Sequence, residues 1–172
     1  MATQGKVAFI TGTSRGIGLE TARELGQLGI AVVMASRDEA KGRAAADKLK
    51  SEGIKEVEAV RSDVTTPEDH RAIARHLGER HGKLDNLVND AGVMLDDADM
   101  EGQGGFNTTS TVTPEALRKA FETNFFDVVA LTQALLPLLH KSPAGRIVNL
   151  SSIVGSLAAH SAPSSPGLHL RC

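Results

Sequence analysis

Neither tyrosine nor tryptophan occurs in the 172 residues, and five phenylalanines are the only aromatic side chains. A phenol is therefore excluded as a proton donor anywhere within them. Cysteine is nearly absent: the single copy, Cys172, is the last residue, so no disulfide framework can form and a reducing, cytoplasmic compartment is expected. Long apolar runs are missing too. The N-terminal run Val7 to Ile10 is too short for a signal peptide, and no stretch reaches the length needed to cross a bilayer. Charge of one sign is scarce, with a net of -2, which gives no electrostatic reason to expect nucleic acid or an anionic membrane as partner. Six histidines are scattered without His-x-x-x-His or Cys-x-x-Cys spacing, so no metal site is expected. Asp96, Asp97, Asp99 and Glu101 lack the pattern of an ion-binding loop and read as a solvated surface.

What is present is ordinary for a globular domain: 41% apolar and 23% charged residues, in a chain long enough for one sizeable core. Apolar runs alternate with helical patterns, the signature of repeated βα units. Strands are predicted at Lys6 to Thr11, Ala31 to Ala35, Val57 to Val60, Leu84 to Val88 and Arg146 to Leu150. Helices are predicted from about Gly16 to Leu28 and Asp38 to Ser51, with a further start at Thr66-Pro67-Glu68-Asp69, where threonine caps and proline fits the first turn. Leu95 to Thr111 is polar and Gly-rich, a surface loop. Thr113-Pro114-Glu115 opens the longest helix, running to about His140. In it Leu117, Phe121, Asn124, Val128, Leu131, Leu135 and Leu138 form one stripe at spacings of three and four, with Asn124 its only polar member.

Between the first strand and first helix stands Thr11-Gly12-Thr13-Ser14-Arg15-Gly16-Ile17-Gly18. Glycines here let backbone approach a phosphate without a Cβ in the way, and the helix N-terminus offers unpaired N–H groups and about half a positive charge. Four further segments stand in order behind it: Asp63-Val64, Leu87-Val88-Asn89-Asp90-Ala91-Gly92, Thr123-Asn124-Phe125-Phe126, and Gly145 to Ser152. Together they resemble the short-chain dehydrogenase/reductase family over residues 5 to about 158. Asn124-Phe125-Phe126 is similar to its carbonyl-reductase-like branch. The resemblance implies an α/β fold: a Rossmann-type doubly wound parallel sheet, here incomplete at about five strands and lacking the C-terminal strands and helices of the family. It also implies a nicotinamide dinucleotide partner, held by Gly12, Ser14, Arg15, Gly16, Ile17, Gly18, Ser36, Arg37, Asp63, Val64, Asn89, Ala91 and Gly92. Asp90 departs from the family pattern, replacing the second asparagine of Asn-Asn-Ala-Gly.

The second strand ends Met34-Ala35-Ser36-Arg37. An acid there would bond a ribose 2′-hydroxyl, whereas an arginine accommodates a 2′-phosphate. Ser36 stands where the acid would be, and Arg37 and Arg15 can together hold a phosphate with charge-assisted bonds, so NADP is expected over NAD. The alternative for Arg37 is a solvated residue paired with Asp38 or Glu39.

By the resemblance, Ser152 and Asn124 are the serine and asparagine of the catalytic tetrad. The tetrad's other members, a Tyr-x-x-x-Lys pair, are absent. About a dozen residues after Ser152 stand Ser165 and, four residues on, His169, neither of which can substitute, and the last lysine is Lys141. Some members of the carbonyl-reductase-like branch carry an insertion before the tyrosine, which would place the pair beyond position 172. Loss of a general acid typically costs ~10²–10⁴ in rate, so turnover by these residues is expected to be slight or absent. Residues 161–172 show no periodicity and read as a sequence ended early, as by a shifted frame. The domain expected is residues 1–160, a partial nucleotide-binding unit followed by an irregular tail. The fifth strand is left as an edge and helix 113–140 keeps an apolar face, both open to self-association. Three readings stay open: part of an NADP-dependent carbonyl reductase or alcohol dehydrogenase acting on a small carbonyl or alcohol in a complete parent, a non-enzymatic nucleotide-binding module, and a truncated product without function.

Overall fold

In a computed structural model of the chain, residues 5–94, 111–156 and 158 are described. The predicted loop at 95–110, its acidic cluster, and the tail with Ser165, His169 and Cys172 lie outside them. Five strands, β1 (Val7–Ile10), β2 (Ala31–Ser36), β3 (Val57–Arg61), β4 (Asn86–Asn89) and β5 (Arg146–Asn149), alternate with helices. These are α1 (Gly16–Gln27), α2 (Glu39–Ser51), α3 (Pro67–His81), α4 (Pro114–Phe121) and α5 (Asp127–Leu139), the last two joined by a π turn at Glu122–Phe126.

All strand pairings are parallel, in the order β3-β2-β1-β4-β5. Alternation along the strands divides the core in two. Val7, Phe9, Val33, Ala35 and Leu87 pack with Ile73, Leu77, Leu131 and Leu135 from α3 and α5 on one face. Ala8, Ile10, Val32, Met34 and Val88 pack with Ala22, Ala45, Ala46 and Leu49 from α1 and α2 on the other. A sheet covered on both sides requires the unbroken apolar runs read in β1 and β2. The chain winds outward from β1 to β3, then crosses back to place β4 on the opposite side of β1, which creates the switch point where such sheets bind ligands.

The element ends are set locally. Asp38 caps α2 by accepting from the Lys41 N–H at 3.0 Å, and Thr113 caps α4 through Ala116 N–H at 3.2 Å. Gly82 ends α3 in a left-handed conformation, φ 73°. Thr66, expected to cap α3 with its side chain, makes no such bond; its carbonyl instead accepts from Asp69 and His70.

The long apolar stripe is only half as expected. Leu131, Leu135 and Leu138 are buried, but Leu117, Phe121 and Asn124 are exposed, and Ala116, Thr123 and Asp127 take the inward positions. The π turn is the reason: its extra residue rotates everything before it by about 100° relative to a continuous α-helix. β5 is an edge strand, exposed along its whole length, as expected.

Candidate functional site

The segments leaving the C-terminal ends of β1 to β4 line one cleft of 520 Å³. Its base is the Gly-rich turn, which two buried threonines tie down. Thr11 Oγ1 accepts from the N–H groups of Asp90 and Ala91 at 3.0 and 2.9 Å, joining the turn to the end of β4. Thr13 bonds the Ala35 carbonyl with both its N–H (3.2 Å) and its hydroxyl (3.0 Å), joining it to β2. The packing then leaves no room for side chains at two glycines. A Cβ on Gly12 (φ +74°) would stand 2.9 Å from Ala91 N, and one on Gly18 would stand 2.7 Å from the Gly12 carbonyl oxygen and 2.6 Å from Asp90 Oδ2. No side chain caps the first turn of α1.

The loop after β3 forms another wall, from Ser62 to Thr65. Asp63 Oδ1 accepts from the Thr65 N–H and hydroxyl at 3.0 and 2.9 Å. Burial pushes the Asp63 carboxyl upward, but those donors and the charges of Arg37 and Arg61 outweigh it and hold the group below its ordinary range. Ser62 Oγ is buried without a hydrogen-bond partner. At the opposite wall burial pushes the Asp90 carboxyl up, only partly offset by the Gly18 N–H.

Of the residues singled out in the sequence, Gly12, Ser14, Arg15, Gly16, Ser36, Arg37, Asp63, Val64, Ala91 and Gly92 line this cleft. Ile17, Gly18, Asn89, Asn124 and Ser152 are not among its lining residues. Ile17 is exposed, and Gly18 is buried under Asp90. Asn89 is buried and ties β4 to its neighbours, donating to Asn149 Oδ1 at 2.8 Å and Thr132 Oγ1 at 3.3 Å. Asn124 sits on the π turn and clamps the chain after β4: its Oδ1 accepts from Val93 N–H at 2.8 Å and its Nδ2 donates to the Val93 carbonyl at 2.7 Å. Ser152 follows β5 and is exposed, with its carbonyl accepting from Gly155 N–H at 3.0 Å.

Asp38 pairs with Lys41 at 3.4 Å, and Glu39 with Arg43 at 2.5 Å, so the carboxylates beside Arg37 are engaged elsewhere. Lys41 itself lines the cleft, as do Ser62, Thr65 and Thr123. Sequence reasoning missed these four. Lys41 could have been found, since it lies four residues past Arg37 in the first turn of a helix starting at the same strand end.

A model of the family described as short chain dehydrogenase matches residues 6–164. The chain belongs to this family. Similar relatives include short-chain dehydrogenase/reductase 1 of Saponaria officinalis, 36% identical over 166 residues, covering 90% of this chain and 55% of that protein. Carbonyl reductase [NADPH] 3 of Rattus norvegicus is 33% identical over 173 residues, covering all of this chain and 58% of its own. A short chain dehydrogenase from Escherichia coli CFT073, solved in complex with NADPH, superimposes with a TM-score of 0.79 at 30% identity, over 90% of this chain and 61% of that one. The chain thus spans somewhat more than half the length of these family members. Its five-stranded parallel sheet is Rossmann-like. Among the described residues, no helix is long and apolar enough to cross a membrane, and no cluster of His, Cys, Asp or Glu could hold a metal ion.

Proposed function

We propose that this chain is the dinucleotide-binding part of a cytoplasmic, NADP-dependent carbonyl reductase or alcohol dehydrogenase, with residues 1–160 as the nucleotide-binding domain and the remainder as an irregular tail. The observation that carries the cofactor preference is the set of cations from the Gly-rich turn, the end of β2 and the first turn of α2. Arg15, Arg37 and Lys41 all line the cleft, and Ser36 stands where an NAD enzyme would place an acid. The cleft fits such a group on two counts: the buried Ser62 hydroxyl is unpartnered, and the cations suit a phosphate.

In this reading the turn Gly12 to Gly18 holds the pyrophosphate. Ser36, Arg37 and Arg15 take the 2′-phosphate, Asp63 and Val64 the adenine, and Ala91 and Gly92 the nicotinamide half, while buried Asn89 supports them by tying β4 to its neighbours. A nicotinamide cofactor held there would give a hydride in carbonyl reduction or accept one in alcohol oxidation. Ser152 orients a carbonyl oxygen, and Asn124 fixes the backbone at Val93 beside the reacting end. The small carbonyl or alcohol is turned over only where a Tyr-x-x-x-Lys pair completes the site, so these 172 residues by themselves react slowly or not at all. A non-enzymatic NADP-binding module is the second reading. Nucleic acid and membranes are not partners in either reading. The exposed face of α4–α5 and the β5 edge are the surfaces of self-association.

Arg37→Asp tests the reading in a fluorescence titration. The parent should bind NADPH more tightly than NADH, and the variant should lose NADPH affinity by about tenfold or more, ~1.4 kcal/mol, while NADH binding changes little. An unchanged preference would mean that Arg37 does not read the phosphate.

A further inference from the structure

The loop Ser62 to Thr65 contributes four consecutive residues to the cleft, yet it leaves a strand end without regular structure to hold it. Its backbone is instead held from behind, by the first turn of α3. Asp69 Oδ2 accepts from the Asp63 N–H at 2.7 Å, and the same carboxylate pairs with Arg61 at 3.1 Å. The next residue, His70, places Nε2 2.6 Å from the Val64 carbonyl oxygen. Both His70 and Val64 are buried. A carbonyl can only accept, so Nε2 carries the proton, and this fixes the orientation of the imidazole. The two adjacent side chains therefore grip the loop at neighbouring residues: Asp69 accepts from the N–H of residue 63, and His70 donates a hydrogen bond to the carbonyl of residue 64. A fully apolar residue at position 70 would leave a buried carbonyl without its partner, which is costly in a way that a surface change is not.

We infer that His70 is a positioning residue for the adenine end of the cleft, holding the 62–65 loop in its binding conformation through the Val64 carbonyl. This deepens the nucleotide-binding reading and rests on it. His70 does not line the cleft, so it acts through the loop alone. Its removal should weaken recognition of the adenine half of a dinucleotide while leaving the sheet intact.

The test compares His70→Leu, which lacks the donor, with His70→Gln, whose amide keeps one. Two measurements are made on the full chain: affinity for adenosine 2′,5′-bisphosphate, and hydrogen exchange at the amides of residues 63 and 65 against those of β1 and β4. His70→Leu should lose about tenfold in affinity and exchange faster at 63 and 65, with β1 and β4 keeping their protection. His70→Gln should stay within about threefold of the parent, since one donor replaces another. Unchanged affinity and loop exchange in His70→Leu would overturn the inference. So would loss of protection throughout the sheet in both variants, because His70 would then support the fold as a whole. Should the parent chain itself not bind the bisphosphate, the nucleotide reading fails, while exchange at 63 and 65 still decides whether His70 holds the loop.

Discussion

Two buried aspartates meet opposite fates. Asp85 accepts from the Val7 N–H at 2.9 Å, the Ser142 hydroxyl at 2.6 Å and the Lys83 ammonium at 2.9 Å. Burial opposes its charge, but these donors win and keep its carboxyl below the ordinary range. Asp127, on the first turn of α5, has a buried Oδ2 with no partner. Burial, and after it repulsion from Glu122, pushes its carboxyl up; attraction from His70 only partly offsets them. The sign of the pH effect follows. A carboxyl whose folded value is raised binds a proton more readily in the folded state, so stability falls as pH rises from the ordinary value of 3.8 through the raised one. Asp127→Asn removes that cost. Thermal unfolding should show the variant more stable than the parent at pH 7, with the difference shrinking toward pH 4. Equal or lower stability at pH 7 would show that the ionised group has a counterweight. Nothing in a single sequence marked Asp127 as buried, because its burial depends on a helix rotation that spacing alone does not encode. Gly12, Arg15 and Arg37 were legible, since the chemistry of a turn or strand end is local. Ser62 and Thr123 reach the cleft only through the way their segments pack.

That rotation is the main event at the scale of elements. Apolar spacing read Leu117 and Phe121 into the core, as a continuous α-helix would require; the π turn places both at the surface, with Phe125 and Phe126 stacked edge to face. The strands and their helices were legible because period and punctuation agree there, whereas an inserted residue shifts a face without leaving a signal in composition. The consequence is an apolar stripe along α4 and the π turn, of Leu117, Phe121 and Phe125, in a molecule whose β5 edge is also exposed. Patches of this kind promote association. Sedimentation velocity should find concentration-dependent association of the chain, weakened by Phe121→Lys together with Phe125→Lys. A monomer at every concentration would remove this helix face as a contact surface.

At the scale of the whole molecule, the crossover from β3 to β4 gathers four loops from distant parts of the sequence into one cleft. The family resemblance implied a doubly wound parallel sheet of about five strands, and the observed β3-β2-β1-β4-β5 sheet agrees with it. The depth of the cleft was not legible, because it depends on Thr11 and Thr13 drawing the Gly-rich turn against β4 and β2. In the proposed function this cleft holds a dinucleotide. Amide hydrogen exchange of the full chain, with and without saturating NADPH, tests it most directly. Saturating NADPH should add protection at residues 12–18, 36–38 and 63–65 and change little along α4 and β5. Protection confined to other surfaces, or none at any NADPH concentration, would contradict it.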